Sequence, residues 1–258
     1  MSEIRIRLIP CLSDNYAVLV HDPAKATTLL VDAPEAGPVL AALAETGWPL
    51  THVLITHHHG DHVQGLGEIK RATGALAIGP AAEAARIAGL DRTAVDGERL
   101  VLGGILVEAI ATPGHTAGPL SYLLPEAGLA FTGDTLFALG CGRVIEGTMD
   151  EMWASLHTLR ERLPPTTRIY CGHEYTLANA RFALSVDPDN AALAARQKAA
   201  EEARAAGRPT LPTDMASERL ANPFLRADDP GLAARLGLVG ALPARVFAEL
   251  RTRKDQFR

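Results

Sequence analysis

A short run of metal-ligand residues constrains this chain more than any other feature. Residues 56–62 read Thr-His-His-His-Gly-Asp-His and directly follow the apolar run 53–55. Imidazole nitrogens and carboxylate oxygens are ligands of zinc, iron and manganese, and compact spacing lets one loop hold a divalent ion. The H-x-H-x-D-H pattern therefore predicts a metal-binding loop at a strand end, formed by His57, His59, Asp61 and His62. His58 should point the other way in an extended segment, so we leave it out of the ligand set.

Three more candidate ligands follow strand-like runs further along the chain. They are His115, Asp134 and His173, and a glycine directly precedes each of them. Glycine permits a sharp backbone turn at a strand end. Taken singly, each could be an ordinary surface or core residue, and their common context is what favours a functional role. Strands lying side by side with their carboxyl ends at one rim would bring these residues to the loop at 56–62.

Seven ligands suit two metal ions that share a carboxylate better than one tetrahedral ion. A structural zinc site is closed by four ligands, commonly with cysteine, so this set predicts a catalytic site with open positions. Two neighbouring ions can lower the pKa of a bound water and polarise a substrate oxygen. We expect two divalent metal ions per chain, zinc first, with iron and manganese as alternatives.

Composition excludes several classes of protein. The 258 residues are 47% hydrophobic, enough for a large core, and the net charge of −5 argues against a general nucleic-acid binder. The sequence has no apolar run of membrane-spanning length and no signal-peptide core, which predicts a cytoplasmic protein without a membrane partner. No obligate protein partner is evident. The three cysteines are widely spaced, which predicts neither disulfides nor a C-x-x-C site.

The order of strand-like and helical runs predicts the fold class. Helices are expected at about 36–46, 63–73, 80–88 and 149–163, the last opened by a capping-box pattern at Thr148. Short strands occur between these groups of helices, at 4–9, 16–20, 28–32, 52–55, 75–78, 105–111, 120–124, 128–132 and 168–171. This order is typical of two mixed sheets packed face to face with helices outside, a four-layer αββα sandwich.

The chain changes character at Tyr175, where strand signals end and Ala-, Arg- and Glu-rich stretches begin. Helices are expected at 189–206 and from about 243 to 252. We therefore predict a catalytic domain over 1–174 and a helical substrate-binding domain over 175–258.

These motifs resemble the metallo-β-lactamase superfamily, and further segments resemble one of its families, glyoxalase II or hydroxyacylglutathione hydrolase. The superfamily motif alone implies the fold and the metals, whereas the Gly-Cys-Gly-Arg segment and the Lys-Asp-x-Phe terminus separate this family from its relatives. The similar segments are spread over almost the whole chain: 12–16, 112–116, 133–137, 140–143, 146–148, 172–176, 222–226 and 251–257.

The resemblance implies hydrolysis of S-D-lactoylglutathione to D-lactate and glutathione, the second step of methylglyoxal detoxification. By position, it assigns His57, His59 and His115 to one metal and Asp61, His62 and His173 to the other, with Asp134 bridging both. The loop residues are then also the catalytic ones, with Asp61 able to accept a hydrogen bond from the attacking water. The implied glutathione-binding residues are Arg143, Tyr175, Arg251 and Lys254. Position 145 departs from the family, since Ile145 stands where an aromatic residue is usual.

Other functions use the same fold. A nuclease would act on a phosphodiester with the same metals, but this chain lacks a broad basic excess. A persulfide dioxygenase would hold one iron and lack a comparable helical terminus, and a non-enzymatic module would bind metal without turnover. Within the hydrolase, Cys141 or Cys171 could in principle act as a nucleophile, but neither has an assigned base partner.

Overall fold

The computed structural model describes residues 3–257, and the chain forms two compact units. The first unit comprises the residues up to Ala111 together with Ala117–Gly133. The second comprises Thr112–Thr116 together with the residues from Asp134 onward. Each unit is therefore built from two separate stretches of the chain.

A six-stranded mixed sheet opens the first unit, and its strands follow one another in chain order. The first three are antiparallel and the last four are parallel, so the third strand pairs in both ways. The strands are β1 (Arg5–Cys11), β2 (Asn15–Asp22), β3 (Thr27–Val31), β4 (His52–Leu54), β5 (Leu76–Pro80) and β6 (Arg92–Ala94). β2 and β3 are buried along their whole length, as central strands covered on both faces should be.

Helices connect the parallel strands of this sheet. α1 (Ala36–Thr46) links β3 to β4, and α2 (Gly60–Val63) and α3 (Leu66–Thr73) link β4 to β5. Val39 of α1 and Ile69 of α3 pack with sheet residues in one apolar cluster. α1 ends where Gly47 adopts a left-handed conformation, φ 67°, which places a glycine C-cap where the sequence predicts the helix to stop.

Four antiparallel strands complete the first unit. They are β7 (Arg99–Leu102), β8 (Ile105–Ala111), β9 (Leu120–Leu124) and β10 (Leu129–Phe131). Tyr122 on β9 is fully buried and donates its hydroxyl to the carbonyl of Ile55, just beyond β4. This bond joins the two groups of strands face to face inside the first unit.

The second unit is mainly helical. Its short strands are β11 (Leu136–Phe137), β12 (Gly140–Cys141), β13 (Arg168–Tyr170) and β14 (Thr213–Asp214), which form the antiparallel pairs β11–β12 and β13–β14. Its α-helices are α4 (Met149–Arg162), α5 (Thr176–Val186), α6 (Ala191–Ala205), α7 (Met215–Ala221), α8 (Pro230–Arg235) and α9 (Pro243–Gln256). Phe224 lies between the rings of Phe182 and Phe247, so aromatic side chains build the centre of this unit.

The predicted elements are present with shifted ends and one change of type. α1 has the predicted bounds, and α4 begins with the predicted capping box between Thr148 and Glu151. The segment 80–88 is a 3-10 helix over Ala81–Arg86 rather than an α-helix. No helix within residues 3–257 is both long and apolar enough to cross a membrane.

Candidate metal centre

The loop at 56–62 is fixed by a carboxylate that the ligand motif does not contain. Asp32 follows β3, is buried, and accepts hydrogen bonds from the backbone N–H and the hydroxyl of Thr56, both at 2.8 Å. It also accepts from Nδ1 of His62 at 2.9 Å. Because Nδ1 of His62 donates to Asp32, its Nε2 carries the lone pair that can bind a metal.

The same network sets the tautomer of His57. The hydroxyl of Thr56 donates to Asp32, so it accepts from Nδ1 of His57, 3.0 Å away. Nε2 of His57 is thereby left as the ligand nitrogen, and it lies 3.2 Å from Nδ1 of His59. Two imidazole nitrogens at this distance can bind one ion.

Asp61 is held by Asn15, at the start of β2. The side-chain amide of Asn15 donates to both the carbonyl and Oδ2 of Asp61, each at 3.0 Å. Asn15 is buried, whereas the carboxylate of Asp61 is 42% exposed. Asp61 therefore keeps a fixed direction while remaining open to solvent.

His58, which is outside the predicted ligand set, binds Glu83. The Oε2 atom of Glu83 accepts from the backbone N–H of His58 at 2.8 Å and from its Nδ1 at 2.6 Å. The other oxygen of Glu83 accepts from the backbone N–H of Gly118 at 2.9 Å. One buried carboxylate therefore joins the histidine loop to the segment before β9.

We predict that His58→Ala leaves metal content unchanged and kcat within about threefold of the unsubstituted protein. Glu83 would still accept from two backbone N–H groups, so the loop keeps its position. Elemental analysis and steady-state kinetics measure both quantities. A metal-poor, inactive variant would place His58 among the ligands.

Three predicted ligands meet inside the second unit. Oδ2 of Asp134 lies 3.5 Å from Nε2 of His115 and 3.3 Å from Nε2 of His173. All three residues are buried. A carboxylate between two imidazole nitrogens is placed as a shared ligand would be.

Backbone geometry explains how two of these residues reach that position. Gly114 and Gly133, directly before His115 and Asp134, have φ values of 140° and 46°, which favour glycine. Nδ1 of His115 donates to the carbonyl of Arg143 at 2.8 Å, so Nε2 is its ligand nitrogen. The predicted glycine turns are therefore present at His115 and Asp134, whereas Gly172 has no positive φ.

A cavity of about 490 Å³ opens beside these ligands in the second unit. His115 and Asp134 line it, and so do the four residues predicted to bind substrate, Arg143, Tyr175, Arg251 and Lys254. The ring of Tyr175 stacks on His173 with 4.7 Å between centroids, and Phe137 meets both rings edge-on. Predicted metal ligands and cationic side chains thus line one cavity.

Two basic residues near the end of α9, Arg251 and Lys254, are less exposed than side chains at a solvated helix end would be. Arg251 is 3% exposed and donates to the carbonyl of Cys141 at 2.9 Å and to Asp255 at 2.9 Å. Lys254 donates to the carbonyl of Ala178 and lies 5.5 Å from the ring centroid of Phe182. Burial, aided by the positive charge of Arg251, lowers the pKa of Lys254 to about 8.

The cysteines are unsuited to nucleophilic attack. Burial raises the pKa of Cys141 to about 11 and that of Cys171 to about 12. A thiol with such a pKa is protonated at neutral pH, and the thiolate is the reactive form. Burial therefore disfavours Cys141 and Cys171 as nucleophiles.

The first unit holds His57, His59, Asp61 and His62 and the second holds His115, Asp134 and His173, so each unit carries nitrogen and oxygen donors of the kinds that bind metal. The donor set fits a divalent cation, because the Nδ1 atoms of His57, His62 and His115 donate to protein oxygens and leave Nε2 as the ligand atom.

Comparison with known proteins agrees with this arrangement. Residues 14–173 match the family model described as metallo-beta-lactamase superfamily, and residues 174–257 match the model described as hydroxyacylglutathione hydrolase C-terminus. A curated hydroxyacylglutathione hydrolase of Rhizobium meliloti (strain 1021) is 52% identical over 257 residues, which cover 100% of both chains. The chain belongs to the hydroxyacylglutathione hydrolase family.

Solved structures support the same fold for this hydroxyacylglutathione hydrolase family member. ETHE1 from Myxococcus xanthus is 26% identical with a TM-score of 0.65, covering 95% of this chain and 99% of that one. TTHA1623 in a di-iron-bound form is 25% identical with a TM-score of 0.57, covering 66% of this chain and 91% of that one. The fold is the αββα metallo-β-lactamase class that the sequence predicts.

Sequence analysis missed the residues that position the ligands in this family member. Asp32, Asn15 and Glu83 hold Thr56, His62, Asp61 and His58, but none belongs to the histidine motif. Asp32 follows the apolar run 29–31 at a strand end, as Asp134 follows another such run, but Val31 rather than a glycine precedes it, so only part of that signal was available. Asn15 lies in the family-like segment 12–16, which suggests no role for it, and Glu83 carries no comparable sequence signal.

Proposed function

We propose that this chain hydrolyses S-D-lactoylglutathione to D-lactate and glutathione, the second step of methylglyoxal detoxification. The observation that carries the proposal is the cavity of the second unit, which places His115 and Asp134 together with Arg251 and Lys254. A glutathione thioester has carboxylates at a distance from its reacting carbonyl. Such a substrate therefore needs metal-binding side chains near its carbonyl and cationic side chains near its carboxylates in the same cavity.

The proposed metal ligands are the seven residues of the sequence motifs. His57, His59 and His115 would hold one ion, Asp61, His62 and His173 the other, and Asp134 both. Zinc is the expected metal, and iron or manganese would suit the same nitrogen and oxygen donors. The di-iron form of TTHA1623 supports a two-metal site in a protein of this fold.

The bound ions would supply an activated water at neutral pH and polarise the thioester carbonyl. The protein groups orient the reactants. Asp61, held by Asn15 and still open to solvent, can accept a hydrogen bond from the attacking water. The departing thiol of glutathione has a pKa of about 8.5, so it leaves as a thiolate without a strong general acid. The site therefore needs no further acidic side chain.

Binding of the glutathione portion falls to Arg143, Tyr175, Arg251 and Lys254. Arg143, Arg251 and Lys254 are cationic, and carboxylates are the complementary groups. Position 145 carries isoleucine where the family usually has an aromatic residue, and the Ile145 side chain is 57% exposed. The contact that an aromatic ring would make with glutathione should therefore be weakened or replaced.

The domain division and location follow from the same proposal. We place the catalytic domain at 1–174 and the glutathione-binding helical domain at 175–258, close to the division between the two family models at 173 and 174. Glutathione thioesters arise among cytoplasmic metabolites, and a cytoplasmic location suits an enzyme that removes them.

Steady-state kinetics on S-D-lactoylglutathione, alongside elemental analysis of the same sample, tests the function. We expect saturable release of glutathione that a chelator abolishes and added metal restores. Turnover of bis-para-nitrophenyl phosphate instead would identify a nuclease, and oxygen consumption with glutathione persulfide would identify a dioxygenase. Metal occupancy without turnover of any thioester would leave only a metal-binding module.

The lowered pKa of Lys254 predicts a pH dependence of substrate capture. The side chain is charged below about pH 8 and neutral above it, so the attraction for a carboxylate is lost as pH rises through that value. We expect kcat/KM to fall above about pH 8, because this constant reports groups of the free enzyme. Lys254→Arg is the matched control, since arginine stays charged throughout and should remove this part of the pH profile. An unchanged profile in the arginine variant would assign the titration to another group.

A further inference from the structure

A buried turn between β11 and β12 has four of its backbone carbonyls and one of its N–H groups bonded by side chains from the helical part of the second unit. The turn covers residues 137–141 and is buried throughout. Asn222 donates its side-chain amide to the carbonyls of Phe137, 3.2 Å, and Gly140, 3.0 Å. Further bonds reach the three remaining residues: Asn179 donates to the carbonyl of Ala138, Arg251 donates to that of Cys141, and the N–H of Leu139 donates to Glu218.

The backbone itself does not stabilise this turn well. Leu139 has a φ of 57°, a left-handed conformation that is uncommon for a residue with a branched side chain. Peptide groups that are buried without a hydrogen-bond partner are strongly destabilising. The side chains that reach the turn therefore add to the pairing of β11 with β12 in holding residues 137–141 in place.

Glu218 and Asn222 form the centre of this network. Both are 0% exposed. Oε2 of Glu218 accepts from the N–H of Leu139 and from the amide of Asn222, each at 2.9 Å, while Oε1 accepts from the hydroxyl of Thr213 at 2.7 Å. Oδ1 of Asn222 accepts from the N–H of Phe224 at 3.0 Å. The carboxylate thus orients the amide that holds the turn.

The turn sets the position of groups that line the cavity. The ring of Phe137 meets those of His173 and Tyr175 edge-on, with centroids 6.0 Å and 5.4 Å apart. Arg143 lies two residues beyond the turn, and its carbonyl orients His115 through Nδ1. A shift of the turn would therefore move one wall of the cavity and two proposed metal ligands together.

We propose that Glu218 and Asn222 are positioning residues for the reaction, acting through the turn at 137–141 on Phe137, His115 and His173. This inference rests on the proposed hydrolysis of a glutathione thioester. Neither residue reaches the cavity lining, so both act through other groups. Their removal alters the active geometry of the protein beyond any loss of stability.

Three variants test this on the full, metal-loaded chain. Asn222→Asp keeps the shape of the side chain and the oxygen that accepts from the N–H of Phe224. It replaces the amide donor with a carboxylate oxygen, which then faces the carbonyls of Phe137 and Gly140 and the carboxylate of Glu218. Glu218→Gln keeps an oxygen for Leu139 and Asn222, and its amide can donate to the Thr213 hydroxyl, so it should behave as the unsubstituted protein. Glu218→Leu removes all three acceptor interactions.

Asp187→Asn is the matched control. Asp187 is buried in the same unit, and its side-chain hydrogen bonds and ion pairs join it to Asn190, Arg226 and Arg235, which all lie outside the turn. It should lower the thermal midpoint while leaving kcat and KM within about twofold, because its loss affects stability alone.

The readouts are amide hydrogen exchange over 137–143, metal equivalents per chain, and kcat and KM measured well below the thermal midpoint. We expect Asn222→Asp and Glu218→Leu to speed exchange in this segment at least about tenfold and to lower kcat/KM about tenfold or more, the range of losses seen when supporting partners of metal ligands are removed. In Glu218→Gln, both the exchange rate over 137–143 and kcat/KM should stay within about threefold of those of the unsubstituted protein.

Unchanged exchange and kinetic constants in Glu218→Leu, with only a lower thermal midpoint, would overturn the proposal. Equal losses in Glu218→Gln and Glu218→Leu would also overturn it. Should Asn222→Asp fail to fold, the two Glu218 variants still decide the question. If the unsubstituted chain hydrolyses no glutathione thioester, the proposed function fails, whereas exchange over 137–143 and metal content still decide whether these residues hold the turn and its ligands.

Discussion

Asp134→Ala is expected to lower bound metal from two equivalents to less than one and to reduce kcat more than about a hundredfold. Oδ2 of Asp134 lies within 3.5 Å of Nε2 of both His115 and His173, so this carboxylate is placed to serve two ions. Its loss would leave two cations facing each other with less compensating charge. Removing a residue that only hydrogen-bonds to a metal ligand typically lowers metal affinity or activity about 10–100-fold. Removing a ligand shared by both ions should lower them more.

The measurement is elemental analysis after desalting, together with kcat at saturating thioester. His58→Ala is the control, because it changes a neighbouring buried histidine outside the predicted ligand set. Loss of a single equivalent from Asp134→Ala, with activity intact, would show that Asp134 is not the bridge.

The sequence predicts the fold well where the pattern is local. α1 has a regular apolar stripe and a glycine C-cap, and α4 has a capping box, so their bounds follow from nearby residues. The 3-10 helix at Ala81–Arg86 shows tertiary structure overriding propensity. Its Glu83 is turned inward, where it accepts from His58 and Gly118. No local sequence pattern indicates that Glu83 must face inward to accept these hydrogen bonds.

α5, α7 and α8 lie in the part of the chain that is predicted only as generally helical. α5 is buried along much of its length, at Asn179, Ala180, Phe182 and Ala183, so its sequence lacks the alternation of apolar and polar residues that marks a surface helix. α7 and α8 are short, seven and six residues, and begin with the Asp214 and Asp229 caps rather than with an apolar period.

The candidate site divides in the same way. Candidate ligands can be proposed from the sequence because a metal needs a small set of residue types at close spacing, and residues 57–62 supply such a set in one loop. Glu218 and Asn222 are not predictable, because they act on backbone groups about 80 residues earlier in the chain through hydrogen bonds. A ligand motif restricts residue identity, whereas a buried network depends on the whole fold.

Replacing both Arg251 and Lys254 with alanine is expected to raise KM for S-D-lactoylglutathione at least about tenfold, while kcat falls much less. Tenfold corresponds to about 1.4 kcal/mol, a modest requirement for two charged contacts. These cations would bind the glutathione carboxylates, whose contacts change little between the ground and transition states. Uniform binding of that kind lowers KM without raising kcat.

A short thioester that lacks the glutathione carboxylates separates binding from general damage, since its KM should not change. Arg253→Ala is the matched control on α9, because Arg253 pairs with Glu249 and does not line the cavity. Its KM should stay within about twofold, as exposed ion pairs contribute little.

The structure adds a condition to this prediction. Arg251 donates to the carbonyl of Cys141, so Arg251→Ala also removes one of the bonds that hold the turn at 137–141, and part of its effect should appear in kcat. Lys254 donates to the carbonyl of Ala178, which lies outside that turn, so Lys254→Ala should raise KM with kcat unchanged. If KM for the glutathione thioester stays constant in the double variant, or both substrates are affected equally, α9 is structural. The glutathione assignment then loses its support from the cavity and rests on family membership alone.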